Sequence, residues 1–277
     1  MDKLQKLIIV LFVLCFGLSN VFAQTASNIV RKDLSQAEID KIIKNVVVKE
    51  AEFREALKNY VFNRFAVMQT VGLGGQITGE FRRDSFMSFN AEGARFEKVL
   101  FAPISTIEEI TITPEDLENL GGIDPFAIEP AHISEYNFNY LGKEKVDELD
   151  LYVFDVTPKV VPDWKKTNLR LFTGRIWVDD RDLQIVKSKG KAVPEGKQRY
   201  PVVETWRENI DGKYWFPAYS LVTGQDGELV FENGQVARIK MRVKYTDYRQ
   251  GRSDVIILDD DDPKAKPTPT PTPKKPE

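Results

Sequence analysis

The sequence predicts an α+β protein dominated by an antiparallel sheet, on three observations. The segment Leu169 to Lys187 reads as two strands joined by a tight acidic turn: Arg170, Phe172, Ile176 and Val178 lead into Asp179, Asp180, Arg181 and Asp182, and Leu183, Ile185 and Val186 lead out. Further on, Asp211-Gly212, Asp226-Gly227 and Asn233-Gly234 punctuate the chain with dipeptides that tolerate the positive φ angles of tight turns. One amphipathic stretch near the N-terminus supplies the helix.

In chain order, residues 1–23 have the layout of a secretory signal. Lys3 and Lys6 form a basic start, an apolar run extends from Leu7 to Leu18, and Val21-Phe22-Ala23 precede Gln24, which predicts cleavage after Ala23. The apolar run is about a dozen residues, against the roughly 20 that a spanning helix needs, so the mature chain is expected to be periplasmic or otherwise exported, and soluble. Cys15 is disfavoured as a lipidation site, because Leu14 stands where processing wants a small residue.

Residues 24–34 read as a linker and 35–258 as a single domain. Ser35-Gln-Ala-Glu38 has the spacing of a capping box, and Ile39, Ile42, Ile43, Val46, Val47, Phe53 and Leu57 recur mostly every three or four residues, predicting a helix over 36–58. Three meandering strands follow over 60–71, 76–90 and 95–101, broken by Gly72, Gly74, Gly75 and Gly93. The irregular stretch 105–133 holds a predicted short helix over 114–120, with Pro114 in its first turn and Gly121-Gly122 after its end. Strands resume at 134–141, 149–158, 169–178 and 183–191, and the three dipeptide turns divide 200–249 into four more. Residues 259–277 begin with Asp259 to Asp262 and continue as a Pro/Thr/Lys tail that cannot bury apolar surface and is expected to be disordered.

The formal charge is −3, and losing Lys3, Lys6 and Asp2 with the signal makes it −4, too mild a balance to imply nucleic acid. With Cys15 gone the mature chain has no cysteine, so it relies on a packed core. His132 is the one histidine, which disfavours zinc and leaves a structural role. Asp179, Asp180 and Asp182 lack the glycine and spacing of a calcium loop, and Gly72-Leu-Gly-Gly75 lacks the Lys-Ser/Thr of a phosphate loop and reads as a turn. No metal, cofactor or catalytic residue is therefore assigned. Carboxylate pairs such as Glu204 with Glu208, or Glu97 with Asp84, leave room for a hydrolase, though no spacing selects one.

What stands out is apolarity on both faces of several strands. In Lys213 to Thr223, Tyr214, Phe216 and Ala218 alternate with Trp215, Pro217, Tyr219 and Leu221, which a sheet with one wet face would not do. The helix can cover one face; the other needs a second layer or an apolar cavity. Phe62, Phe65, Met68, Phe86, Met87, Phe89, Trp177 and Trp206, with Trp215 and Tyr219, are candidates for its lining, either as ordinary core or as an apolar ligand site. In the last strand Ala237, Ile239, Met241, Val243 and Tyr245 take one face and Arg238, Lys240, Arg242 and Lys244 the other: a solvated surface, or a stripe for anionic headgroups or an acidic partner.

An exported chain with an N-terminal amphipathic helix, a meander, an insert with a short helix, and Gly174-Arg-Ile-Trp-Val-Asp179 followed by Leu183-Gln-Ile-Val-Lys187 resembles the periplasmic lipoprotein-sorting (LolA/LolB-like) superfamily over residues 35–250. The resemblance implies a curved antiparallel half-barrel wrapped around the N-terminal helix and the short inserted helix, with lipid acyl chains held on the apolar concave face. It implies a noncatalytic carrier whose partner is a lipid or lipoprotein acyl chain, with peripheral membrane contact and residues 114–120 as a lid. A scaffold or sensor for an envelope protein is the alternative that the same fold allows.

Overall fold

The computed structural model describes residues 29–90, 93–113, 116–117, 130–167, 169–196 and 199–251. The expected signal segment, the acidic tail and most of the 114–120 helix lie outside these residues; Asp116 and Leu117 are helical.

The helix α1, Gln36–Leu57, starts at a complete capping box, in which the Ser35 backbone N–H donates to Glu38 Oε2 at 2.8 Å and the Glu38 N–H to the Ser35 hydroxyl. Its buried positions, Ile42, Val46, Glu50, Phe53 and Leu57 with Val47 and Ala56, recur every three or four residues and form one stripe. That stripe contains a carboxylate, Glu50, which the apolar count over the sequence passed over.

Among the described residues eleven strands form one sheet: β1 Tyr60–Val71, β2 Ile77–Phe89, β3 Arg95–Phe101, β4 Tyr136–Val146, β5 Leu149–Pro158, β6 Leu171–Asp179, β7 Ile185–Val193, β8 Val203–Ile210, β9 Tyr214–Val222, β10 Glu228–Val230 and β11 Val236–Gln250. The order is β3-β2-β1-β11-β9-β8-β7-β6-β5-β4, with β10 paired to β11, and every pairing is antiparallel. The last strand thus sits between the first (Thr70↔Ile239 to Tyr60↔Gln250) and β9 (Val222↔Met241 to Tyr219↔Lys244). The sheet is open, with β3 and β4 at its edges.

The turns follow their residues, with one exception. Asp211 and Gly212 both take positive φ, 54° and 68°, at the centre of a β-turn closed by Lys213 N–H to Ile210 O, inside a three-residue loop that pairs Ile210 with Tyr214. In the β6–β7 turn the Asp179 carboxylate accepts the N–H groups of Arg181 and Asp182, at 2.8 and 3.1 Å. Asp226-Gly227, however, closes a short 3₁₀ turn, Gly224–Gly227, in which Gly224 carries the positive φ. The strand expected from 134 begins at Tyr136 because Pro130–Glu135 forms a 3₁₀ turn.

The helix covers one face of the sheet, here called inner. Its N-terminal half packs Ile42, Val46 and Val47 against Tyr136, Phe154, Val156, Phe172, Ile176 and Ile185, and its C-terminal half packs Phe53, Ala56 and Leu57 against Phe62, Met68, Phe216, Val243 and Tyr245. From β5 to β1 is six strand steps, roughly 29 Å flat, whereas Ile42 to Leu57 spans only about 22 Å of helix, so the sheet curves toward α1. On the outer face Leu151, Val153, Trp177 and Val186 form a separate cluster. Part of its cover is the N-terminal segment, where Ile29 packs against it and Val30 bridges to Lys143 on β4. No helix among the described residues is long and apolar enough to cross a membrane.

Candidate functional site

Strand alternation divides the candidate lining residues between the two faces. Phe62, Met68, Met87 and Phe89 lie on the inner face in one cluster with the end of α1. Phe65 and Phe86 alternate with them and point outward, one position out of phase with Phe62 and Met87. Trp177, Trp206, Trp215 and Tyr219 are outward too, so the residues do not form one lining. The register aligns Trp177, Lys187, Trp206, Tyr219, Lys244 and Phe65 side by side across six strands. Within this row Lys187 Nζ stands 4.7 Å from the Trp177 ring and 4.2 Å from the Trp206 ring, and Trp206 stacks on Tyr219 at 6.2 Å. Trp177, Trp206 and Trp215 each donate their indole N–H to a carboxylate: Glu144, Glu204 and Asp182. The basic stripe of β11 lies on this face, with Lys240, Arg242 and Lys244 exposed.

The inner face has a second cover besides α1. Residues 103–113 take neither helix nor strand conformation, yet Ile107, Ile110 and Ile112 pack beside Phe81 onto the inner cluster. This strap is tied to the sheet at few points. Thr106 and Glu80 exchange bonds, backbone N–H of Thr106 to Glu80 O at 3.0 Å and backbone N–H of Glu80 to the Thr106 hydroxyl at 2.9 Å, and Gln235 Nε2 donates to Glu109 O at 3.4 Å. Hydrogen bonds from the Thr78 hydroxyl, from backbone and from the Thr70 hydroxyl hold the Glu109 carboxyl below the usual carboxylate range. Gly79 is needed where the strap crosses β2, since a Cβ there would stand 2.6 Å from Thr106 O.

Two charged groups interrupt the inner face. Glu50 of α1 takes Arg207 of β8 in a two-pronged pair, 2.6 and 2.9 Å, with the guanidinium 4.4 Å above the Phe53 ring; both side chains are buried. On β1 Arg64 is fully buried, and its Nη2 donates to Glu97 Oε1 of β3 at 2.8 Å; Arg83 Nε reaches the same oxygen at 2.8 Å, and the buried Ser85 hydroxyl donates to it as well. Burial draws the Arg64 guanidinium below its usual range. Burial pushes Glu97 up, but the hydrogen bonds from Arg83 and Ser85 and the charges of Arg64 and Arg83 outweigh it, and the carboxyl sits below its usual range.

Reading the sequence for apolar lining missed this pair, although a signal was present. In Tyr60, Phe62, Arg64, Ala66 and Met68 an arginine occupies the buried phase of an alternating strand. A further cleft, about 290 Å³, lies between the start of α1 and β4, lined by residues including Asp40, Ile43, Lys44, Ile133, Tyr136 and Phe138.

The remaining candidates resolve simply. Asp84 pairs with Arg82 on the outer face while Glu97 is on the inner one, so these carboxylates do not face a common cleft. Glu204 is engaged by Lys187 at 3.2 Å and by Trp206. His132 Nδ1 stands 2.8 Å from Glu135 Oε1 one turn away. Gly72 to Gly75 form a turn closed by Gly75 N–H to Gly72 O at 2.9 Å. Among the described residues no three His, Cys, Asp or Glu side chains gather as metal ligands would.

No family model matches the chain, and no curated protein does. Solved structures similar to it include a LolA superfamily protein from Nitrosomonas europaea, 15% identical, covering 78% of this chain and 94% of that one with a TM-score of 0.35. A DUF1329 family protein from Desulfovibrio piger is 15% identical over 79% and 95%, with a TM-score of 0.38. A candidate outer membrane lipoprotein-sorting protein domain from Vibrio parahaemolyticus is 14% identical over 75% and 92%, with a TM-score of 0.34.

Proposed function

We propose that this chain is an exported, noncatalytic binder of an apolar chain, such as a lipid or lipoprotein acyl chain, taken up on the inner face in the space that the strap now fills. The observation that supports this reading is the contrast between the two covers of that face. The helix is held by a buried ion pair and a long apolar stripe, whereas Ile107, Ile110 and Ile112 belong to a segment without regular structure and few bonds to the sheet. Segments of that kind open at low free energy, and opening this one uncovers Phe81 and the part of the inner cluster beside it. An acyl chain laid in their place buries about 0.8 kcal/mol per methylene, enough over several carbons to displace three half-buried isoleucines.

The test is native mass spectrometry of the mature protein purified from its own envelope, with organic extraction of what it carries. A stoichiometric lipid or lipopeptide is expected; a clean apo mass that stays unchanged after incubation with lipids would sink the proposal. The outer row of Trp206, Tyr219 and Lys187 beside the basic stripe favours a second reading, docking of an envelope protein. Under that reading Trp206→Ala weakens partner capture and leaves the inner face untouched.

A further inference from the structure

Arg64 is fully buried, yet its Nε and Nη1 have no hydrogen-bond partner; only Nη2 is engaged, by Glu97. A buried cation with unused donors is costly, and a native fold that keeps one has a use for it or a missing partner. The surroundings say which kind of partner. Arg64 and Arg83 share the single carboxylate Glu97, and both bonds go to the same oxygen, Oε1, which the Ser85 hydroxyl also uses. Two guanidiniums against one carboxylate leave a local surplus of positive charge on a face otherwise lined by Phe62, Ala66 and Met87. Arg64 replaced by methionine would fill the same volume without the cost, so the unpaired donors are a liability in the empty protein and an asset only when something accepts from them.

We propose that Arg64 and Arg83 form a site for an oxyanion, the carboxylate or phosphate head group of an amphiphile whose chain lies under the strap. The planar fork of a guanidinium matches either group through two parallel N–H donors; in Arg64 the free Nε lies parallel to one N–H of Nη2 and the free Nη1 to the other, and Nη2 keeps a second hydrogen beyond the one given to Glu97, so one fork stays open. The proposal rests on the inner-face reading above and narrows it: the ligand is anionic at one end and apolar along the rest.

Isothermal titration of the mature protein with laurate, dodecyl phosphate and monolaurin, which share a chain length, separates the two ideas, and inorganic phosphate serves as the chainless control. The wild type is expected to bind both anionic ligands about 10- to 100-fold more tightly than monolaurin, the range for charge-assisted hydrogen bonds. In Arg64→Met the three affinities converge on that of monolaurin, which itself is unchanged, and the apo melting temperature rises. Equal affinities for charged and neutral chains in the wild type would overturn the head-group site while leaving chain binding in place. Arg64-dependent binding of inorganic phosphate without binding of any chain would instead overturn the chain reading and make this a site for a free oxyanion. Binding of none would overturn both, with buried water as the partner of Arg64. Should Arg64→Met fail to fold, Arg83→Gln carries the same comparison, with a smaller loss of discrimination.

Discussion

Replacing Glu50 by leucine tests how α1 is held to the sheet. Glu50 is 0% exposed and Arg207 7%, so neither charge can turn to water when its partner is lost. At a separation of about 4 Å and an effective dielectric near 20, their attraction is about 4 kcal/mol, and removing one partner of such a pair typically costs about 3–5 kcal/mol. That is a fifth or more of the roughly 5–15 kcal/mol that stabilises a folded domain, equivalent to a melting temperature lower by about 6–20 °C. The double variant Glu50→Leu with Arg207→Met removes both charges, keeps the stem over Phe53, and is expected to return to within about 1 kcal/mol of wild type or above it. Urea denaturation of the four members of this cycle measures the terms, with the slope of each curve checking that the unfolding transition is unchanged. A single variant costing under about 1 kcal/mol would mean that the guanidinium reaches solvent. A double variant as unstable as the single would assign the loss to packing rather than charge.

The strap gives two further predictions. Gly79→Ala places a methyl 2.6 Å from Thr106 O, and relieving that contact lifts the strap, so cleavage after Glu108 or Glu109 by a glutamyl endopeptidase should accelerate while the β1–β2 register stays intact; unchanged cleavage would refute the crossing geometry. Because the Glu109 carboxyl is lowered in the folded protein, its tie is fully present above the unfolded value of about 4.3 and is lost as the pH falls through its folded value. Hydrogen exchange of the Thr106 amide, corrected for intrinsic rates, should therefore speed up in that acid window, and Glu109→Gln should remove the dependence. Trp206→Ala loses the stack on Tyr219 and the cation over its ring, costing about 1–3 kcal/mol in chemical denaturation without altering chain binding; a loss of binding would place the ligand on the outer face.

Local chemistry made most of the fold legible. The Ser35–Glu38 box, the stripe after it, the period-2 strands and Asp211-Gly212 each specify their element from a few adjacent residues, and α1, β1 and β5 fall within a residue of expectation. What adjacency does not encode is which face of a strand meets the helix. Phe62 and Phe65, or Phe86 and Met87, are equally apolar, and only the pairing register sends one of each inward. The site suffered most for this reason: its charged members come from β1, β2 and β3, and its strap comes from a stretch whose isoleucines have no period. Asp226-Gly227 differs because a 3₁₀ turn and a hairpin turn draw on the same small polar residues.

The position of β11 between β1 and β9 bears on how the molecule comes to exist. A chain released only as far as residue 235 holds a β1–β3 meander and a β4–β9 meander with no strand joining them, and the inner residues Phe62, Met68 and Phe216 have no Ile239, Met241, Val243 or Tyr245 to pack against. Pairing the first long strand with the last closes a loop of well over a hundred residues, the slow kind of step in β-rich folding. The C-terminal strand is thus the keystone of the sheet: until it is in place the β1–β3 and β4–β9 meanders share no strand pairing.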